Sequence, residues 1–454
     1  MKKTIPHPSL PSWRTSTYFA FLLLLLTACG NDDQMILPEN DAILEGLITD
    51  ADPAGKAAFI LPESNDYANI PQDPNNPITD IKVLLGKQLF HETGIGLNPM
   101  VEEAVGTFSC ASCHFAEAGF QANRFQGIGE GGEGFFLRGP GNNHASDQLD
   151  VQPIRTPTAM NGAYQDVMLW NGQFGGRGTN EGTQANWTPD TPKENNNFGY
   201  EGLETQAIAG LGVHRLVIDQ EYMEANSYAD LFEAAFPNRP ATEKITVETA
   251  ALAIAAYERT LLANQSPWQR YLRGGRDMLS EEEKLGAIVF FGKGGCVSCH
   301  SGPSLATMSF HVIGMEDLDR CPEETFGTSP DNVENFGRGG FTGNESEMFA
   351  FKTPQLYNLS DSPFYGHGAS FRSVREVVEY KNAGIAQNDR VPAGRLSPHF
   401  QPLGLSETEI DNLTTFLEQS LRDDNLLRYV PQALLSGNCF PNSDEGSRFD
   451  RGCD

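Results

Sequence analysis

Apolar residues recur at helical spacing in several separate stretches of the chain, with Gly-, Pro- and Asn-rich sequence between them. Residues 81–90 form one such run, and residues 284–291 repeat its character in the second half. Ser280 with Glu283 makes a capping box that places the start of the second run. Residues 247–262 are Ala-rich and uninterrupted, the strongest helix signal in the chain, and end before Asn264 and Pro267. Val374, Val377, Val378 and Lys381 fall at i, i+3, i+4 and i+7, one face of a helix that closes on a lysine. Ser406 and Glu409 cap a further helix carrying Ile410, Leu413, Phe416 and Leu417. The Pro-, Asn- and Asp-rich sequence up to Thr79 predicts irregular structure, and residues 175–200 have the composition of an insertion loop. Strand-period alternation supports nothing beyond short hairpins, so the expected fold class is mainly α.

Two stretches carry chemistry: Cys110-Ala111-Ser112-Cys113-His114 and Cys296-Val297-Ser298-Cys299-His300. Cys-x-x-Cys-His is the attachment signature of c-type haem. The thiols add across the vinyl groups, and the adjacent imidazole is close enough to ligate the iron. A bare Cys-x-x-Cys also suits a redox dithiol or half of a zinc site. The histidine that follows, twice over, in a chain with an export-like N-terminus, points instead to two covalent haems. Helix, loop and motif recur in that order, predicting two cytochrome-c-like haem domains in tandem. The expected organisation is a signal peptide at 1–28, a tether and irregular segment at 29–80, haem domains at 81–274 and 275–430, and a C-terminal tail at 431–454.

The N-terminus changes the picture of where the chain resides. Lys2, Lys3 and Arg14 precede an apolar run at 18–26 that is too short to span a bilayer and has the shape of a secretory signal. It closes with Leu26-Thr27-Ala28-Cys29, similar to a bacterial lipobox, which implies cleavage before Cys29 and its acylation; an ordinary signal peptide followed by a buried cysteine is the alternative. The expectation is a protein lipid-tethered to a membrane of the cell envelope, periplasm-facing or on the outer-membrane surface. A formal net charge of −28 excludes nucleic acid as a natural partner. It suits a basic redox protein such as a small cytochrome c, and equally serves plain solubility. Of eight cysteines, one is the lipid site and four serve haem, leaving Cys321, Cys439 and Cys453. One disulfide and one thiol is the simplest arithmetic in an oxidising compartment, with Cys439–Cys453 the first choice among open connectivities.

From residue 84 to 421 the chain resembles the diheme bacterial cytochrome c peroxidase and MauG family. The likeness rests on Leu85-Gly86-Lys87-Gln88-Leu89-Phe90, Arg155-Thr156-Pro157-Thr158-Ala159-Met160-Asn161, Leu169-Trp170-Asn171-Gly172 and Gln206-Ala207. It continues through Ala256-Tyr257-Glu258-Arg259-Thr260-Leu261, Phe351-Lys352-Thr353-Pro354-Gln355-Leu356-Tyr357-Asn358 and Leu403-Gly404-Leu405. The resemblance implies that hydrogen peroxide reacts at the N-terminal haem and that the C-terminal haem relays electrons from a small redox protein. It implies a bridging role for Trp170, although Asn171 and Gln173 replace the acid and arginine of the family's Trp-Asp-Gly-Arg motif. It also implies a calcium ion between the domains, with Asn161 at a position resembling one ligand.

The departures matter more. Splitting peroxide needs a base for one proton and an acid for the leaving oxygen. Family members use a glutamate nine or ten residues beyond the glutamine matched by Gln206; here the window holds His214 and Arg215 instead. An imidazole can shuttle the proton and a guanidinium can stabilise developing negative charge. Glu130 stands where many members carry a histidine that blocks the first haem, implying an open site, with Glu130 as distal acid the alternative. At the second haem, the family's methionine or tyrosine position falls on Lys381, with Tyr380 and Met348 as competing candidates. A charged lysine continuing an apolar stripe is costly to bury; bound to iron as the free amine it escapes that cost, whereas a lysine snorkelling to solvent is the bland alternative. The function expected is peroxide reduction, against MauG-like oxidation of a protein or organic substrate, or plain diheme electron transfer.

Overall fold

The computed structural model of the chain describes residues 39–453. The expected signal peptide, Cys29 and the first part of the expected tether, residues 29–38, lie outside the described residues. Twelve helices carry the described fold. The first six are α1 (Glu39–Ala51), α2 (Asp80–His91), α3 (Gly202–Val213), α4 (Gln220–Ala225), α5 (Ala229–Ala235) and α6 (Val247–Arg259). They are followed by α7 (Pro267–Leu272), α8 (Glu281–Phe291), α9 (Gly337–Thr342), α10 (Val374–Ala383), α11 (Glu407–Thr415) and α12 (Glu445–Arg451). Among the described residues, strand is confined to two antiparallel pairs of two residues each, β1 (Gly132–Glu133) with β2 (Gly139–Pro140) and β3 (Phe310–His311) with β4 (Phe351–Lys352). No described helix is long and apolar enough to cross a membrane.

The helices start where side chains satisfy their free N–H groups. Thr79 accepts from the Lys82 N–H at α2, and capping boxes open α6 at Thr246, α8 at Ser280, α10 at Ser373 and α11 at Ser406. Ala-rich α6 is buried from Thr249 to Arg259, a helix enclosed on every side.

The internal repeat is a repeat of packing. In α2, a Cβ at Gly86 would stand 1.9 Å from the Ala253 carbonyl oxygen of α6. In α8, a Cβ at Gly286 would stand 2.0 Å from the Asn412 carbonyl oxygen of α11. Each haem motif therefore follows a helix whose backbone meets that of a partner helix at one glycine, and no larger residue permits the approach.

The ends of the chain depart from the expected order. The segment expected to be irregular up to Thr79 contains the thirteen-residue α1. Leu44, Leu47, Ile48 and Ala51 form its inward face, and it docks on α8 of the second repeat, where Lys284 Nζ lies 3.0 Å from the buried Asp41 carboxylate. The C-terminal tail crosses to the first repeat. Ser109, beside the first motif, donates to the Pro441 carbonyl at 2.8 Å, and Gln88 donates to that of Ala433 at 3.0 Å. Cys439 and Cys453 form a disulfide, the first choice from sequence, and Cys321 is a free thiol.

Gly86→Ala or Gly286→Ala is expected to destabilise the protein by about 3 kcal/mol or more, since backbone carbonyls cannot move aside as side chains can. Gly46→Ala, in the middle of α1 with nothing within 4 Å of the added Cβ, should stabilise by about 0.4–1 kcal/mol. Urea unfolding of the haem-loaded protein measures both.

Candidate functional site

The two motifs are short helical turns, Cys110–Ser112 and Cys296–Ser298, each ending at a histidine whose Nδ1 meets a main-chain carbonyl. His114 Nδ1 lies 3.2 Å from the Phe120 oxygen, with the Pro157 main chain as a second acceptor. His300 Nδ1 lies 3.1 Å from the oxygens of both Leu305 and Pro354. Donation from Nδ1 fixes the tautomer and leaves Nε2 as a free ligand atom. Burial pushes both imidazoles down to about 4, so they are neutral at physiological pH. The four motif thiols are unpaired, and among the described residues no group of three or more His, Cys, Asp or Glu is gathered to hold a metal ion. The donor chemistry fits haem and not a structural zinc.

The second motif opens into a cavity of about 290 Å³. Val374, Val377, Val378 and Lys381 of α10 all line it, so the face read from sequence looks inward at Cys296, Cys299 and His300. Burial lowers the Lys381 ammonium's affinity for its proton, and its Nζ lies 5.1 Å from the Phe400 ring centre. The competing candidates point elsewhere. Tyr380 donates to the Ile313 carbonyl at 2.5 Å, and the Met348 sulfur lies against Gly339 of α9. Met315 also lines the cavity, a sulfur donor that the sequence pattern did not single out.

Trp170 lies on the same cavity and is tied to both histidines. Its Nε1 donates to the Arg155 carbonyl at 2.8 Å, and two residues on Pro157 lies against His114. The Trp170 carbonyl accepts from the Lys352 N–H at 2.8 Å, and two residues on Pro354 holds His300. Arg155-Thr156-Pro157 and Lys352-Thr353-Pro354 are thus matching struts on either side of one indole. Their cations are buried without a carboxylate hydrogen-bond partner. Burial brings Arg155 down to about 10 and Lys352 to about 8, and Arg155 Nε has no hydrogen-bond partner. A cofactor that brings its own carboxylates suits these two charges. Asn171 and Gln173, the altered motif positions, pair with each other, and a guanidinium reaches this turn from Arg338, which donates to the Gly172 carbonyl at 3.0 Å.

At the first motif, α3 presents Gln206, Gly210 and His214 on one face. A Cβ at Gly210 would lie 3.3 Å from Gln206 Nε2 and 3.9 Å from His214 Cδ2, so the glycine leaves a gap between the two side chains. His214 is close enough to His114 to lower its proton affinity. The His214 side chain is 38% exposed, and desolvation works against its protonation. The charge and hydrogen bond of Asp150 outweigh that desolvation and raise His214 above its ordinary value. Asp150 was not among the sequence candidates; no local pattern connects it with a histidine sixty-four residues away.

Glu130 and Arg215 are redirected by the structure. The Glu130 carboxylate is fully buried and accepts from Arg215, from the Met100 N–H at 2.5 Å and from the Val101 N–H at 3.2 Å. Three donors hold it in place, which suits neither a blocking ligand nor a mobile acid. Arg215, expected to stabilise charge on the substrate, is neutralised by Glu130. Near Cys110, Glu258 of α6 has a buried carboxylate oxygen without a hydrogen-bond partner, and burial pushes Glu258 up to about 8. Asn161 is engaged at both ends, accepting from the Ala263 N–H at 3.1 Å and donating to Gln355 at 3.2 Å, so calcium there rests on the resemblance alone.

A family profile described as di-haem cytochrome c peroxidase matches residues 80–277. The cytochrome-c peroxidase IdrP1 of Denitromonas iodatirespirans is 28% identical over 407 residues, covering 86% of this chain and 93% of the relative. The methylamine utilization protein MauG of Methylorubrum extorquens is 27% identical over 421 residues, covering 92% and 96%. Among solved structures, a MauG-like protein associated with microbial copper homeostasis superposes with a TM-score of 0.57 at 24% identity, covering 81% of this chain and 96% of that one. That likeness extends to the mainly helical fold with its two haem domains.

Arg215→Ala strands the buried Glu130 charge and is expected to cost about 3–5 kcal/mol, read by chemical denaturation of the haem-loaded protein. A cost below about 1 kcal/mol would show the pair to behave as a surface contact.

Proposed function

We propose that this chain, whose residues 80–277 match the di-haem cytochrome c peroxidase family, is a haem oxidoreductase that reduces hydrogen peroxide at the Cys110–His114 haem with electrons relayed from the Cys296–His300 haem. The observation that carries this reading is the asymmetry of the two sites. The first faces an acid–base pair, His214 with Asp150, and an amide, Gln206; the second faces the amine of Lys381 and the sulfur of Met315.

In this reading Cys110, Cys113, Cys296 and Cys299 would form the thioether links, and His114 and His300 would ligate through Nε2. The haems, when bound, would supply peroxide-reducing iron at the first site and electron-storing iron at the second. The protein's residues manage the protons. His214 Nε2 accepts the proton from one peroxide oxygen and returns it to the other as the O–O bond breaks. With two electrons and two protons delivered, two waters leave. Gln206, across the Gly210 gap, orients the bound peroxide through its amide. Arg215 and Glu130 anchor the backbone that carries His214. Lys381 would supply the second ligand to the C-terminal haem. Its burial favours the free amine, whose lone pair is the ligating orbital. Trp170 relays electrons, its indole hydrogen-bonded toward one site while lining the other.

The electron donor in this reading is a small soluble redox protein, and Cys29 tethers the enzyme by lipid to a cell-envelope membrane. A second reading, MauG-like oxidation of a protein or organic substrate, is favoured by the way Glu130 is held away from the role of a blocking ligand.

Steady-state peroxide consumption with reduced cytochrome c should be rapid, and His214→Ala should lower kcat/KM for peroxide by about 100-fold or more. Unchanged turnover in that variant would overturn the role of His214. No turnover in the native protein, together with peroxide-dependent oxidation of an added substrate, would select the second reading. Electron paramagnetic resonance of the oxidised protein should show a low-spin histidine–amine haem that is lost in Lys381→Ala. A histidine–methionine signal in the native protein would transfer the ligand role to Met315.

A further inference from the structure

We propose that Asp150 is the positioning residue of the first haem site, holding His214 in the tautomer that keeps Nε2 open to take a proton. The inference rests on the reading of His214 as the proton carrier, and it adds the group that makes an imidazole competent where the family has a carboxylate.

The geometry is specific. His214 Nδ1 lies 2.9 Å from Asp150 Oδ2 and 3.1 Å from Oδ1. An ionised carboxylate only accepts, so the shared proton belongs to Nδ1 and the lone pair to Nε2. Asp150 is 5% exposed and has little freedom to turn. Its N–H donates to the Glu130 carbonyl at 3.0 Å and its carbonyl accepts from the Gly129 N–H at 2.9 Å. A Cβ at Gly129 would fall 2.4 Å from Asp150 Oδ2, so this glycine makes room for the carboxylate.

The arrangement is a pair of crossed grips. Consecutive residues at the end of α3, His214 and Arg215, are held by Asp150 and Glu130, which lie on adjoining backbone segments of one loop and are hydrogen-bonded to each other. The charged and titratable groups around His214 are Asp150, Arg215 and His114; Glu130 and His144 lie beyond Arg215. Arg215's charge is balanced by Glu130, which leaves Asp150 as the group that stabilises a protonated His214. As the proton moves from peroxide to Nε2, the imidazolium forms beside a carboxylate already in place, with no reorganisation.

The test compares Asp150→Asn, Asp150→Glu and His214→Gln, with Asp147→Asn as an exposed-charge control in the same loop. Haem content and absorption spectra confirm that each variant is loaded, and peroxide turnover is followed against pH. Asp150→Asn should lower kcat by about 10- to 100-fold, with KM for peroxide nearly unchanged. His214 works as a base only when neutral, and the amide no longer favours its charged form. The acid limb of the profile should therefore move to lower pH by about 1 unit or more. Asp150→Glu should recover part of the rate and return the limb towards its native position, and Asp147→Asn should behave as the native protein. An unmoved acid limb in Asp150→Asn, with or without a lower rate, would overturn the proposal and leave Asp150 a structural residue. Loss of haem from both Asp150→Asn and Asp150→Glu would overturn it also, marking Asp150 as a residue the haem-loaded fold needs. Full turnover in His214→Gln would instead bring down the reading of His214, a result separable from the others because it appears in that variant alone.

Discussion

Each motif histidine spends its Nδ1 proton on a main-chain carbonyl, and the rest of the site is arranged around those two bonds. They fix which nitrogen is free, and burial keeps that nitrogen unprotonated. Two of the acceptors belong to Arg155-Thr156-Pro157 and Lys352-Thr353-Pro354, the struts that also hold Trp170. Moving the indole would move a carbonyl that orients an imidazole. In the proposed reading one set of hydrogen bonds would therefore serve both ligand geometry and the Trp170 bridge.

The repeat is built twice but not closed independently. Gly86 and Gly286 bring equivalent helix pairs into backbone contact, and each pair backs one haem motif. The termini then cross over. α1 completes the packing of the second repeat, while the C-terminal segment, pinned by Cys439–Cys453, covers the first. Among the described residues, the segments nearest the two termini thus each complete the packing of the opposite half.

On the distal sides, three departures from the family pattern belong together. Where a glutamate is missing, an imidazole stands with its own carboxylate. Where a blocking histidine is missing, Glu130 turns away to neutralise the arginine beside that imidazole. Where a tyrosine or methionine is expected at the second haem, Lys381 faces the cavity from the end of an apolar stripe. At the first site, substituting one residue alone would leave a buried charge without a partner, and there His214 is paired with Asp150 and Arg215 with Glu130.

Features written within a few residues of each other were legible from the sequence: both haem motifs, the capping boxes, α2, α6, α8 and α11, and the face of α10 that ends at Lys381. Their causes are covalent spacing and helix period, which neighbours along the chain determine by themselves. Even α1 left a trace in Leu44, Leu47, Ile48 and Ala51, overlooked beside the Pro- and Asn-rich sequence that follows. What only the tertiary structure decided are contacts across long stretches of chain: Asp150 with His214, Glu130 with Arg215, Arg338 at the Trp170 turn, and Met315 in the cavity in place of Met348. A buried polar group must find a partner, but nothing local says which one. The pairing follows from where the packed helices bring distant segments together.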